Sequence, residues 1–569
     1  MKTLETLGEV ITTDVLIVGG GIGGLAAAIK AKEENPELDV LIAEKQTTGW
    51  AGKATKIGGF LAFLAPDGDP DRFIDYQVRS CGFYLNDQQA LTKYVHDTYG
   101  AIEQFADWGA RLARTPDGSL VSFPAFWAPG FSLTLIDIDL MRPMRSRARK
   151  LGTRFLDKIH IVDLLADGDR ITGAVGFDIV TGRFYIIRAK ATILANGSCG
   201  YKVRRFWVSA TGDGVAAAFR AGAEMRNAEF GNLYGHTVFQ DTDSGMVGYE
   251  YLVNSAGENL AQKYMPDMGP AGVFLPVQLA VGMQKEIAEG RGPIRFAPPP
   301  SEKVAHEPPV GLPKLGDWRQ RLEDREKQYG LPPGAQREVG APLHGETSCV
   351  KVDHEMRTNL QGLWAIGDTS YAGSAVAGAM PSPPGISPGS GIMYAVISAA
   401  WAGPSAARYA AQAAAPQVDG AGIEALKQQV FAPLEQQGGL QPEEAISALQ
   451  DVTAPMKYNL RRSEQRLTEG LARIDAVREK LPGLQAKDLH YLSKCHEVQS
   501  MTLCAELTFR AALMRTESRG FHYREDYPET DNENWLKWVT LRRAGGRGDE
   551  GIELSTETIP IGQYAIRPE

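Results

Sequence analysis

The chain is poor in the features that hold metals, cross bilayers or grip polyanions. Its five cysteines, Cys81, Cys199, Cys349, Cys495 and Cys504, form neither C-x-x-C nor C-x-x-C-H spacing. Iron–sulfur and c-type haem ligation are therefore not encoded, no metal site is expected, and a disulfide framework is not expected in so long a chain. If electrons travel any distance from this protein, another chain carries them. Apolar runs fall short of the about eighteen residues a membrane helix needs, the longest candidate being 391–403. The opening residues lack the basic region and apolar core of a secretory signal, so a cytoplasmic location is expected. Lysine and arginine number 60 against 69 acidic residues, a net charge of −9 that argues against a nucleic-acid surface.

What the chain does contain is concentrated near its start. The run Asp14-Val-Leu-Ile-Val-Gly-Gly-Gly-Ile-Gly-Gly-Leu joins an apolar strand to a helix-forming segment, and a second apolar run closes on Glu44, about twenty residues past Gly24. Gly19 permits the tight turn, Gly21 lets backbone approach a pyrophosphate, and Gly24 lets the helix lie close to the sheet. Glu44 is then placed to accept hydrogen bonds from an adenosine ribose. This is a dinucleotide site, with NAD and FAD both open on the motif alone.

With 569 residues, 43% hydrophobic and 23% charged, the chain has ordinary globular composition and room for two to four domains. The strand–loop–helix pattern continues through the first 230 residues. A hairpin is expected over 171–194, turning near Gly182 and running into Asn196-Gly197, and Thr211-Gly-Asp213-Gly opens a helix. No second G-x-G-x-x-G follows a later strand, so a separate nicotinamide domain is absent. From Glu229 the texture changes to Gly, Pro and aromatic-rich loops, and Gly362-Leu-Trp-Ala-Ile-Gly-Asp368 returns to an apolar strand. Helices are expected beyond Ser405, with 410–417 as a low-complexity linker.

These pieces together resemble the flavoprotein family of succinate dehydrogenase, fumarate reductase, L-aspartate oxidase and adenylylsulfate reductase. The resemblance covers the opening motif, the loop Ala51-Gly-Lys-Ala-Thr-Lys-Ile-Gly-Gly59, the turn after Leu194, the Thr211 motif, Leu252 to Glu258, Gly362 to Asp368, and Arg515-Thr-Glu-Ser-Arg-Gly-Phe-His-Tyr-Arg524. It implies an α/β fold: a Rossmann-like FAD-binding domain in two segments (1–228 and 345–404), an inserted α+β capping domain (229–344) and a helical C-terminal domain and tail (405–569). It implies FAD as cofactor, contacted by Gly19, Gly21, Gly24, Glu44, Lys45, Gly52, Lys53, Gly58, Gly59, Ala195, Asn196, Gly197, Asp213, Asp368, Ser390 and Ile392. The helix opening near Ser390 would face the flavin pyrimidine, where its dipole favours negative charge on the reduced ring.

Departures from the family pattern carry information as well. Relatives with covalent FAD have a histidine six residues before the Gly58-Gly59 pair; this chain has Gly52, so FAD is expected to be non-covalent. Dicarboxylate enzymes of the family grip a carboxylate with an arginine ahead of the pyrimidine-facing helix. The loop 372–391 has neither Arg nor Lys. Arg291 matches the family's proton-delivering arginine, His344 a substrate-binding histidine, and His236 the altered counterpart of a His-Pro-Thr-Gly motif; these three are the candidate catalytic residues. Lys53 and Lys56 read as solvated loop lysines, and Cys199 as a small buried side chain with no partner cysteine nearby. Phe123, Phe126, Trp127, Phe131 and Trp207 read as core packing or as the roof of a site.

The expected activity is hydride or electron transfer between FAD and a small, anionic substrate, fumarate reductase-like without being a standard dicarboxylate enzyme. Two alternatives stand beside it: an adenylylsulfate reductase alpha-like subunit working with a ferredoxin-like iron–sulfur partner, and an electron-relay subunit whose substrate site has degenerated.

Overall fold

A computed structural model describes residues 3–55, 59–125, 129–203, 210–230, 237–238, 251–264, 277–297, 311–314, 317, 324, 337–340, 346–370, 390–545 and 551–569. Its centre is the strand–helix–strand unit expected from the opening motif: β1 (Glu9–Val18), α1 (Ile22–Glu34) and β2 (Val40–Glu44). Val15 to Val18 and all of β2 are buried, as a parallel strand covered on both faces requires. A small antiparallel pair, β3 (Phe60–Phe63) and β4 (Ser132–Leu135), follows, with α2 (Gln88–Asp107) between them in sequence. The helix α3 (Met141–Lys150) leads into β5 (Arg154–Asp157).

Next comes an antiparallel meander of β6 (Ile159–Asp167), β7 (Arg170–Asp178) and β8 (Phe184–Leu194). The β7–β8 turn is made by Asp178, whose side chain accepts the N–H groups of Val180 and Thr181, and by Gly182 at φ +73°. The seven-stranded sheet runs β5–β2–β1–β8–β7–β6, with β14 (Leu363–Ala365) pairing the far end of β8. Thus the strand Gly362 to Asp368 rejoins the first segment beside the turn at Ala195, as expected for a domain split by an insertion.

Between them lie α4 (Asp213–Ala221), the two-residue β9 (Met225–Arg226), and a four-stranded antiparallel sheet of β10 (Thr237–Val238), β11 (Leu252–Val253), β12 (Arg295–Phe296) and β13 (Arg337–Gly340), with α5 (Val277–Ala288) between β11 and β12 in sequence. The helix α6 (Ser390–Gln412) packs along α1; a Cβ on Gly403 would lie 2.8 Å from the Ala27 carbonyl, so the approach needs glycine. This helix passes through Pro404 and takes in Ala410 to Gln412, so the segment expected to be linker from 410 is helical to Gln412. Tertiary packing on α1 offsets the helix-breaking tendency of proline.

The C-terminal part contains α7 (Gly420–Glu435), α8 (Pro442–Thr453), α9 (Glu464–Arg478) and α10 (Leu489–Met514). After these helices, in the tail, comes an antiparallel hairpin, β15 (Lys537–Arg543) and β16 (Ile552–Thr558), which pairs with β9. No helix among the described residues is long and apolar enough to cross a membrane.

His496, on α10, contacts the Val430 carbonyl through Nε2 at 3.0 Å, and burial followed by neighbouring His160 pushes its pKa down to about 4. A histidine held neutral in the fold but protonated when unfolded below about 6.5 makes stability fall as pH drops from about 6.5 to about 4. The contribution is at most about 3 kcal/mol. His496→Gln should flatten the urea-unfolding free energy between those pH values; a slope equal to that of the parent protein would refute the assignment.

Candidate active site

The β1–α1 turn leaves little freedom. Gly19 has φ +109°, and a Cβ there would stand 2.4 Å from the Ala195 carbonyl at the end of β8; a Cβ on Gly24 would stand 1.9 Å from the Gly19 carbonyl. Gly21 is different. It precedes α1 with no side-chain cap and no acidic residue in the first turn, and a Cβ there meets nothing within 4 Å among the described residues. The first-turn N–H groups therefore face open space suited to an anion.

Three further segments converge on that space. Gly52, at φ +81°, has among the described residues only the Gly21 Cα near its Cβ position, at 3.5 Å. Gly197, at φ +76°, faces nothing within 4 Å and donates its N–H to Thr369 Oγ1 at 3.0 Å, tying the Ala195–Ser198 turn to the Gly367–Thr369 turn. Lys53 joins them: its ammonium binds Asp368 Oδ2 at 2.8 Å and Ser198 Oγ at 3.1 Å and makes an ion pair with buried Glu346. Burial opposes its charge, yet Asp368 and Glu346 raise its pKa. Lys53 is thus an ion-paired residue inside the cradle, not the solvated loop lysine that its sequence position suggests.

Glu44 is buried at the end of β2 and accepts the Gly20 N–H at 2.5 Å and the Gln46 N–H at 2.7 Å. Burial raises its pKa against those bonds. The three donors of Lys45 are all used within the protein, by Thr211 Oγ1 (3.0 Å), Asp213 Oδ2 (2.7 Å) and Glu497 Oε1 (2.8 Å). Lys45 therefore acts on the site through Asp213, which it and His160 hold well below the usual carboxylate range despite burial. Asp213 Oδ1 and Asn196 Oδ1 are buried acceptors with no hydrogen-bond partner among the described residues. Open glycines at three points, two unpartnered acceptors and a buried carboxylate at the strand end fit an elongated dinucleotide.

Comparison with known proteins agrees with this cradle. A family model described as an FAD binding domain matches residues 14–238, and one described as the fumarate reductase flavoprotein C-terminus matches residues 448–569. This chain belongs to the succinate dehydrogenase/fumarate reductase flavoprotein family. It is an FAD-dependent oxidoreductase. The flavoprotein is 28% identical to one subunit of the CoM/CoB fumarate reductase of Methanothermobacter marburgensis, over 94% of this chain and 98% of that one. It is 26% identical to the 8-methylmenaquinol:fumarate reductase flavoprotein subunit of Wolinella succinogenes, over 97% and 92%. Its fold matches quinol fumarate reductase FrdA of E. coli (TM-score 0.81, 21% identity, 99% and 98% covered) and adenylylsulfate reductase of Archaeoglobus fulgidus (TM-score 0.77, 20% identity, 97% and 96% covered).

Of the candidate catalytic residues in this flavoprotein, His236 and His344 lie outside the described residues, as do Gly58, Lys56, Phe126, Trp127 and Trp207. Arg291 follows α5 and Gly290. Its guanidinium holds Glu286, which is fully buried, through Nε and Nη2 at 2.5 and 2.9 Å, and pairs with Glu289. Tyr264, Asn254 and Lys263 converge on the same Glu286 carboxylate. The hydrogen bond from Arg291 holds Glu286 well below the usual carboxylate range, and Arg291 is raised in turn. Its described contacts all lie within the capping segment, so they do not join it to the cradle. Ser390 begins α6, whose Ile392 packs half-buried against the core, and Gly59 keeps φ +102°.

Two site features escape local sequence patterns. Cys199 has a partner after all: Cys504, from α10, lies against it, and the Cβ position of Gly212 stands 2.6 Å from Cys504 Sγ and 3.2 Å from Cys199 Sγ. The expectation of a lone cysteine failed because 305 residues separate the pair in sequence. Both are buried free thiols, and burial pushes Cys199 well above its ordinary value. Phe131 stacks on Phe73 at 3.6 Å in the core, and Phe123 meets Phe60 edge-on. Among the described residues no cluster of His, Cys, Asp or Glu could hold a metal ion.

Proposed function

We propose that this flavoprotein is the catalytic subunit of an oxidoreductase that exchanges a hydride with a small anionic substrate and trades electrons with a separate iron–sulfur protein. When bound, FAD supplies the two-electron chemistry at its ring. Gly21, Gly52 and Gly197 would line its length, Glu44 would take the ribose, and Asp213 and Asn196 have acceptors left for it. Gly52 offers no nucleophile, which supports non-covalent binding. Acid precipitation should leave a colourless pellet with all FAD in the supernatant; yellow protein would refute it.

The observation that carries the substrate reading is the Arg291–Glu286 pair. Glu286 fixes Nε and Nη2 along one edge and Glu289 also takes Nη2, so on a side chain 33% exposed Nη1 is the guanidinium nitrogen left, among the described residues, to meet an anion. Because both partners are held in their charged forms, Arg291 orients and neutralises an anion, and the proton comes from another group. Arg291→Gln should lower turnover by about 10²–10³ while leaving flavin content unchanged. Arg291→Lys should recover only part, since an ammonium keeps the charge but loses the fork. Unchanged turnover in Arg291→Gln would remove the residue from the chemistry.

The lack of Arg and Lys in 372–391 favours a second reading, a relay subunit without its own substrate. Photoreduced protein offered enoates, sulfite with AMP, and quinones separates the two. A catalytic subunit reoxidises with one small acceptor, and a relay only with a protein.

A further inference from the structure

The chain carries net charge −9, yet one helix runs against that balance. The helix α3 holds Arg142, Arg145, Arg147, Arg149 and Lys150 and no acidic residue. Arg147 is paired with Glu33 at 3.3 Å and Arg145 lies 3.8 Å from Asp157. The side chains of Arg142, Arg149 and Lys150 are exposed, with no carboxylate in ion-pair range among the described residues. Their spacing, i, i+7 and i+8, sets them on one face with Ser146. The helix dipole favours cations in the last turn, which accounts for Arg149 and Lys150. It disfavours Arg142 in the first turn, so the dipole does not explain that residue.

Trp50, 65% exposed, lies in the cofactor loop two residues before Gly52. Gly49 seats the loop on the helix: its Cβ position is 2.8 Å from Arg145 Cδ. The loop that carries the exposed tryptophan thus packs on the helix that carries the basic stripe, and it runs on into Gly52. An aromatic centre with charge around it is the make-up of a protein docking site.

We propose that Trp50 with Arg142, Arg145, Arg149 and Lys150 is the docking face for an acidic, ferredoxin-type iron–sulfur carrier. The inference rests on the reading above that a separate protein trades electrons with the flavin, and it adds where that protein binds and which charge it bears. An acidic carrier is repelled by the molecule as a whole and attracted at this one face, so encounter is steered to the cofactor loop. Two reduced carriers give one electron each and are oxidised, the flavin takes both electrons, and protons from water balance the charge.

The test uses full-length protein loaded with FAD and an acidic plant-type [2Fe–2S] ferredoxin, pre-reduced, followed by anaerobic stopped flow. Reduction of the parent protein should slow by about tenfold or more between low salt and ~1 M salt. The variant R142E/R149E/K150E should be slower by about tenfold or more at low salt and converge with the parent at ~1 M. Its complex with ferredoxin on gel filtration should be lost, while deazaflavin photoreduction keeps the parental rate. The neutral R142Q/R149Q/K150Q should fall between, which guards against misfolding of the charge-reversed form. Equal rates in parent and variants, or co-sedimentation of the parent with phosphatidylglycerol vesicles in place of a ferredoxin effect, would overturn the docking face. If ferredoxin reduces the loaded protein at no salt concentration, the carrier-fed reading itself fails; if it reduces parent and variants alike, only the surface does.

Discussion

Gly21→Ala should yield a folded, colourless protein. The backbone at Gly21 is extended, at φ −71°, and an added methyl meets no atom within 4 Å among the described residues, none of which resists it. The same methyl occupies the space through which a pyrophosphate reaches the first-turn N–H groups of α1. Thermal unfolding of the apoprotein should match the parent, while FAD affinity falls on the order of tenfold or more. Gly24→Ala is the contrasting case: its methyl would lie 1.9 Å from the Gly19 carbonyl, so the turn itself must give and stability is lost with the flavin. The measurements are the ratio of flavin to protein absorbance after dialysis and the unfolding midpoint. Gly21→Ala protein that stays fully yellow would sink the assignment of the cradle.

Arg515→Ala should destabilise the protein by about 3–5 kcal/mol, because it strands buried Glu229 and takes from buried Glu517 one of its two arginine partners. Arg515 binds Glu229 at 2.7 Å and Glu517 at 2.8 Å, all three side chains fully buried, and donates to the Lys537 carbonyl at 2.8 Å. Glu517 is shared with Arg519, and Arg462 donates to the Glu229 carbonyl and to His522 Nδ1. His522 passes the chain of bonds on to the Arg515 carbonyl; burial and the neighbouring arginines keep its pKa well below the ordinary value, so it stays neutral. Arg461→Ala removes a partner of Glu525 that is 35% exposed and should cost no more than about 1 kcal/mol. Urea unfolding of the two variants would separate them, and equal losses would refute the account of the buried cluster.

The legible parts of this molecule are those whose cause is local. The glycine turn, the apolar strand ending at Glu44, the hairpin around Gly182 and the return strand at Gly362 each follow from residues within a few positions of one another, and the structure forms them as expected. Long-range partners are another matter. That Lys45 faces Asp213 and Glu497, that Lys53 faces Glu346 and Asp368, and that Cys199 meets Cys504 depend on chain folding back over hundreds of residues, which no spacing rule reports. The motif from Arg515 to Arg524 was legible as a family mark, but not as a buried ionic cluster, because arginines are ordinarily surface residues. The hairpin β15–β16 gave no strong alternation, with exposed and part-exposed residues along most of β16.

The ties from α10 back to the first domain order events in the cell. By the time some 230 residues have left the ribosome, each phosphate-facing glycine and Glu44 have been made. Lys45 still lacks Glu497, and the left-handed Gly212 before α4 still lacks Cys504 beneath it, until α10 has been synthesised nearly 300 residues later. Asp213 is held by that same lysine. A nascent chain stalled ahead of α10 therefore has the nucleotide fingerprint without the carboxylate that shares Lys45 and without the thiol beneath Gly212.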